Sequence, residues 1–435
     1  MKKSLIALAV LASAGVASAQ SSVTLFGVVD LTLSNLRADG AGKINTLRDA
    51  GYNSSRIGFR GTEDLGGGMA ASFWLEGGFT ADNGAGQNTT MNNTAAGDRF
   101  LIGSGSASAV YAPQATAYAR QGLTFNRRST VSLSGGFGEV RLGRDYIPSF
   151  WNLSVFDPFG SLGVGSALNV SLGPLNPFAN SAFAPGAAAP QIRSSNSIGY
   201  FLPANLGGFY GQVMYALGDH ASNCNQPLAN STGSVTNLCT GAKDDGRYMG
   251  GRVGYANGPL NVALGYGTAK FGDVPAATPL GTIAGYNQTA AYRGNYKQLN
   301  LGGQWDFGVA KLMGLIGEQR HDATAVNPGQ KLRHATIGAL VPVGPGEIRV
   351  SYNYARRSDG LGAGSADGSK INQLALGYVH NLSKRTAVYA SVATQRIRAG
   401  VAGSGGPSVG LNGAALGSNA SGKASGYDFG LRHSF

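Results

Sequence analysis

The sequence predicts an all-β fold, a transmembrane antiparallel β-barrel of about sixteen strands. Three observations carry the prediction. Segments with a two-residue apolar period recur along the chain, tight turns alternate with long polar connections, and no window holds the roughly 18 consecutive apolar residues that a membrane helix needs.

The chain opens with Lys2 and Lys3, an apolar stretch from Leu5 to Val16, and the small residues Ala17, Ser18 and Ala19. This is the pattern of a cleaved export signal over residues 1–19, which leaves a single barrel over residues 20–435. The alternative, an uncleaved anchor, needs about 20 apolar residues, and this stretch is shorter.

Strand periodicity starts at once. Val23, Leu25, Gly27, Val29, Leu31 and Leu33 share one parity, while Thr24, Phe26, Val28, Asp30 and Thr32 share the other. The same alternation returns around Leu260–Tyr266, Leu299–Phe307 and Ile348–Tyr354. A soluble sandwich also alternates, so the connections decide between the two. Asp64 to Gly67, Gly135 to Gly138, Ala204 to Gly207, Asn257-Gly258, Gly308-Val309, Gly344 to Gly346 and Ser383-Lys384 are short. Ala81 to Arg120, Pro148 to Ser195, Asp219 to Gly246, Asp273 to Gly294, Ala323 to Pro328, Asp359 to Ser369 and Gly400 to Ser421 are longer and polar. Alternation of this kind belongs to an up-and-down barrel with periplasmic turns and extracellular loops, and an even strand count puts both ends of the chain on one side. Trp305, Phe307, Tyr354, Tyr378, Phe429 and Phe435 fall near strand ends on the apolar face, where an interfacial girdle belongs. The last strand, Ala424 to Phe435, resembles the terminal strand by which outer-membrane barrels are recognised for assembly, with Phe435 as the signal and His433 in place of the usual aromatic residue.

Composition narrows the function classes. Only 13% of residues are charged, and 69 glycines accompany 18 Tyr and 18 Phe, which suits half-apolar strands and not a disordered chain. The formal charge of +12 falls to +10 when Lys2 and Lys3 leave with the signal. Export and the absence of a long basic run argue against a nucleic-acid partner. Cys224 and Cys239 lie in one polar stretch, where a loop disulfide is expected in an oxidising compartment; the alternative, a metal pair, lacks a third ligand nearby. His220, His321, His334, His380 and His433 are scattered, and no metal, phosphate-loop, cofactor or catalytic pattern emerges.

Six segments in order resemble the trimeric general porins of β-proteobacteria, the neisserial and Burkholderia-type group. They are "SVTLFGVVDLTL", "SSRIGFRGTEDLGGGMAASFWLEGGF" from Ser54, "GGFGEVRLGRDYIP" from Gly135, "NSIGYFLP" from Asn196, "GQVMYALG" from Gly211 and "ALGYVHNLSKRTAVYASV" from Ala375. The resemblance implies a homotrimer of barrels in the outer membrane of a Gram-negative bacterium, in contact with its lipid and lipopolysaccharide and delivered by the barrel assembly machinery. Each barrel is expected to be a passive, water-filled channel for small hydrophilic solutes, narrowed by an inward-folded third extracellular loop. That loop matches Pro148 to Ser195, whose only carboxylate is Asp157.

Parity selects the pore residues, because a charge on the lipid face at mid-depth costs about 2–4 kcal/mol. Arg56, Arg60, Arg128 and Arg141 oppose apolar neighbours and should point inward, and the family's basic wall residues fall at the first three. Such a set favours anions. Alternatively each arginine pairs with a wall carboxylate, Asp30, Glu76 or Glu139, and loses much of its field. Asp157 either faces these arginines from the loop or caps the turn before Pro158. Trp74 shares the parity of Glu76, so its ring either narrows the pore, stacks a solute, or packs beneath the loop. A substrate-specific channel, and less so a plugged adhesin or outer-membrane hydrolase, are the rival readings.

Overall fold

Two side-chain periods shape the chain, apolar toward lipid and polar toward the interior. The computed structural model describes residues 22–39, 42–87, 122–173, 175, 192–218, 227–229, 235–237, 247–271, 294–322, 329–359, 367–398, 410–411, 414–415 and 422–435. The barrel strands are β1 (Ser22–Ala38), β2 in two pieces (Gly42–Asp49 and Arg56–Gly66), β3 (Met69–Thr80), β4 (Arg128–Gly135) and β5 (Gly138–Tyr146). They continue with β6 (Arg193–Phe201), β7 (Phe209–Ala216), β8 (Tyr248–Asn257), β9 (Leu260–Phe271), β10 (Gly294–Asp306) and β11 (Lys311–His321). The last five are β12 (Gln330–Val343), β13 (Gly346–Asp359), β14 (Lys370–Asn381), β15 (Thr386–Arg398) and β16 (Gly422–Ser434).

Each strand pairs antiparallel with the next, and β16 pairs with β1 from Val28↔Ser434 to Ala38↔Ala424, which closes a 16-stranded barrel. At the seam the Gly27 N–H donates to Phe435 O at 3.0 Å and the Phe435 N–H donates to Gly27 O at 3.1 Å. Closure leaves no strand edge, which a membrane requires because lipid cannot hydrogen-bond a free N–H.

Outward positions are apolar and bare: Val213 is 58% exposed, Val253 52% and Ile337 65%. Water would make each of these a liability, whereas hydrocarbon is their natural solvent. The girdle aromatics Trp305, Phe307, Tyr378 and Phe435 are likewise exposed near strand ends, whereas Phe429, also exposed, lies mid-strand opposite Leu33 and Ala390 and so falls outside the girdle. Inward positions carry Gln298, Asn300, Gln319, Ser351, Asn353 and Gln373, all buried.

The segment between β5 and β6 covers these amides. Helix α1 (Pro148–Val155) starts on a proline, whose missing N–H costs nothing at a first turn, and helix α2 is a single turn (Leu168–Ser171). Two apolar clusters anchor the segment. Ile147, Phe150, Leu153 and Phe156 pack against Met214, Tyr248 and Leu315, while Phe159, Val164, Val170 and Leu175 pack against Leu36, Leu332, Ile371 and Ile397. Gly302 makes the first contact possible, since a Cβ there would stand 2.1 Å from Phe156 Cδ2.

The structure adds a feature near the start that the sequence reading did not name. Only residues 39–41 separate β1 from β2, and β2 is interrupted at 50–55. Both pieces pair with the single strand β1. Ala50 sits at φ 67°, and the N–H groups that leave the ladder at Gly51, Tyr52 and Asn53 donate to the buried Asp30 carboxylate at 3.2, 3.2 and 2.7 Å. The carboxylate thus replaces the lost strand partners of the break.

Candidate pore constriction

Register brings the predicted basic residues onto one stretch of wall. On the β2–β3 ladder Arg60 lies across from Trp74 and Gly58 across from Glu76; on the β3–β4 ladder Glu76 lies across from Arg128. Arg141 follows on β5, across from Ser132. Apolar Phe59, Val131, Leu133 and Leu142 alternate with them on the exposed outer face.

Two carboxylates organise this wall. Glu76 Oε1 is 2.5 Å from Arg127 Nε and 3.6 Å from Arg56 Nε, and its Oε2 accepts the Trp74 indole N–H at 3.0 Å. Asp145 lies 2.6 Å from Arg141 Nη1 and 3.6 Å from Arg128 Nε. Glu139 takes Arg141 in a fork, at 3.0 Å from Nε and 2.9 Å from Nη2. Arg60 is exposed and has no ion pair among the described residues; its guanidinium carbon stands 5.4 Å from the Phe26 ring centre and 5.1 Å from that of Trp74. Arg128 stands 4.6 Å from the Trp74 ring and donates from Nε to Thr130 Oγ1 at 3.2 Å. An arginine paired at contact distance presents little net charge beyond a Debye length of about 8–10 Å, so the surplus cations set the field.

Two predicted acidic residues do not face the lumen. Asp30 is fully buried in the barrel wall, where it holds the break in β2 and accepts from the Tyr389 hydroxyl. Asp157 is also buried and turned back on its own loop, accepting from the N–H groups of Phe159, Ser161 and Ala167 at 2.9, 3.0 and 2.9 Å. Its geometry is that of a turn organiser, and burial pushes its carboxyl up to about 6 against the pull of those three donors. Trp74 touches Phe26, Arg60, Arg128 and Glu76. Cys224 and Cys239 lie outside the described residues.

The loop meets the opposite wall through neutral groups. Ser149 Oγ donates to Gln298 at 2.7 Å, Asn300 Nδ2 to Ser149 O at 2.9 Å, Gln319 Nε2 to Ser171 O at 2.8 Å and Gln373 Nε2 to Ser166 O at 2.9 Å. Charged wall groups join them: the Asp428 carboxylate accepts the Val164 N–H at 2.9 Å, Arg252 donates to Asn152 of α1, and Arg357 donates to Leu175 O at 3.5 Å.

Sequence reasoning missed several cations. Arg252 donates to Asn152 of α1 at 2.6 Å and to Tyr210 at 3.1 Å, and Arg349 binds Glu347 at 2.9 Å and the Tyr52 hydroxyl at 2.7 Å. Strand parity signals both, since each alternates with outward Val253 or Val350. Arg127 and Arg193 share the Tyr146 hydroxyl, at 2.8 and 2.5 Å, beyond or at the ends of their strands, where parity carries no information.

The comparisons agree with this architecture. Residues 4–400 match the profile of the Gram-negative porin family. The chain is 38% identical over 395 residues to outer membrane porin protein 32 of Delftia acidovorans, covering 90% of this chain and 89% of that protein. It is 29% identical over 434 residues to an outer membrane porin of Bordetella pertussis, covering 90% and 93%. Among solved structures it resembles the anion-selective porin from Comamonas acidovorans, with a TM-score of 0.67, 33% identity, and coverage of 96% of this chain and 100% of that one. These proteins are named as porins and not as enzymes. With a closed barrel, an apolar belt and a match over nearly its whole length, the chain belongs to the Gram-negative porins, passive channels of the outer membrane.

Proposed function

We propose that this channel prefers anions, works as a homotrimer, and filters at Arg56, Arg60 and Arg128. One observation carries the reading: along β2–β5 the guanidiniums of Arg56, Arg127, Arg128 and Arg141 share only Glu76, Glu139 and Asp145 in ion pairs among the described residues, and Arg60 has none. The loop adds no acid, because Asp157 is spent on its own backbone. Surplus fixed cations raise the local anion concentration and offset part of the cost of stripping an anion's water. The named anion selectivity of the Comamonas relative is consistent with this. Residues 1–19 are removed on export, so sequencing of the mature protein should start at Gln20. Outside the barrel the exposed apolar belt meets lipid and lipopolysaccharide, and Phe435 serves the assembly machinery from the seam.

The test is the reversal potential of the reconstituted protein in a planar bilayer across a KCl gradient, with Arg56, Arg60 and Arg128 replaced by Ser together. Conductance steps in threes and a chloride-favouring potential that weakens in the variant support the reading. A potassium-favouring potential overturns the anion preference, and single steps overturn the trimer.

A further inference from the structure

We infer that Trp74 is a selectivity residue: its indole holds Arg60 and Arg128 by their faces and keeps them off Glu76, leaving Arg128 only the looser 3.6 Å pair with Asp145. The inference rests on the anion-preferring reading and extends it to a residue without charge. Register alone would send Arg128 elsewhere, because its direct partner across the β3–β4 ladder is Glu76. Its guanidinium lies instead 4.6 Å from the Trp74 ring centre, and that of Arg60 lies 5.1 Å from the same ring. Glu76 is occupied: one oxygen faces Arg127 and Arg56, and the other accepts the Trp74 N–H at 3.0 Å. The indole therefore acts twice, as a seat for two cations and as a competitor for Glu76, the cross-strand partner of Arg128.

The chemistry of the seat matters. A carboxylate cancels a full unit of charge, whereas a ring quadrupole attracts a guanidinium without removing its charge. An arginine on a ring face keeps N–H groups on its rim for a passing anion. Phe26 braces the arrangement, its ring 4.9 Å from Trp74 at 59° and 5.4 Å from the Arg60 guanidinium carbon. The series Phe26, Arg60, Trp74, Arg128 is thus a ladder in which aromatic rings space the cations. It also explains a large aromatic residue on inward parity, where a polar residue is the norm.

The experiment compares wild type, Trp74→Leu and Trp74→Phe as intact reconstituted channels, reading reversal potential and single-channel conductance. In Trp74→Leu the arginines are expected to fall onto Glu76 and Arg128 to tighten its 3.6 Å pair with Asp145, cutting the chloride-to-potassium permeability ratio by roughly fivefold, the scale of one cation–π contact. Trp74→Phe, which keeps a ring face, should retain most of the preference. A Trp74→Leu channel that conducts more current with an unchanged ratio overturns the inference, since the indole would then only fill space. A Trp74→Phe channel as weak as Trp74→Leu also overturns it, because the ring face would not be the operative feature. A wild type without chloride preference fails the underlying reading itself, and this arm is separate because it is read before any variant.

Discussion

The two halves of the inner wall solve opposite problems. Strands β2–β5 carry guanidiniums and carboxylates, with Arg60 exposed and Arg128 half-buried. Strands β10–β15 carry Gln298, Asn300, Gln319, Asn353, Gln373 and Gln395, all buried where the loop lies against them. Amides can bind backbone groups without bringing a charge out of water, so they suit the seat of the loop. Charges keep their value only where water stays, and β2–β5 hold the densest group of them, while Arg252, Arg357 and Asp428 bind the loop from other strands. Most of the loop's anchorage thus rests on amides, so it can be altered at those positions without touching the arginines of β2–β5.

The largest break comes from moving charge into the seat. Gln373→Glu replaces the donor to Ser166 O with a buried carboxylate facing a carbonyl. We expect a loss on the order of 3 kcal/mol, read as a lower temperature for loss of the folded band in semi-native gels, with noisier open-channel current. Next is Gly302→Leu, which drives a side chain into Phe156 and should cost about 1–3 kcal/mol while widening the pore, as measured by the size limit for sugar uptake into liposomes.

A smaller effect follows pH. The Asp157 carboxyl sits at about 6 in the folded loop, above the ordinary 3.8. Between those values the folded state keeps a proton that the unfolded chain has lost, so loop stability is highest in acid and falls as pH rises through 6. Current noise should therefore grow from about pH 5 to about pH 7 in wild type and stay flat in Asp157→Asn. The smallest effect tests the boundary of the comparison. Glu318 pairs with exposed Arg333 at 2.9 Å and with Lys331 at 3.7 Å, at the outer end of the barrel. Glu318→Gln should shift stability by no more than about 0.5 kcal/mol and leave the reversal potential unchanged.

Alternation and turn chemistry made the barrel legible from the sequence, because a strand between lipid and water has little freedom to place a side chain. For the same reason the inward parity of Arg56, Arg60, Arg128 and Arg141 could be read from Phe59, Val131 and Leu142 beside them. Parity reports a face, however, and not a partner. Asp30 and Asp157 share the polar chemistry expected of pore acids, yet both are consumed by N–H groups released where the backbone leaves a ladder or tightens in a loop. The break in β2 was hidden because "AGYNSS" reads as ordinary turn chemistry, and its inward course depends on a carboxylate twenty residues upstream. The Trp74 contacts depend on two neighbouring strands at once, which no local pattern encodes.

The seam between β1 and β16 has a kinetic consequence. Ser34 Oγ donates to Asp428 Oδ1 across 394 positions of sequence, and Gly27 exchanges hydrogen bonds with Phe435. None of these contacts can form until the last strand has been delivered, so two unpaired strand edges must wait, open, through synthesis and transit. Such long-range closure is slow and leaves the waiting chain prone to pairing with other copies of itself. The bonds that make the finished barrel edgeless therefore leave its precursor dependent on protection until β16 arrives.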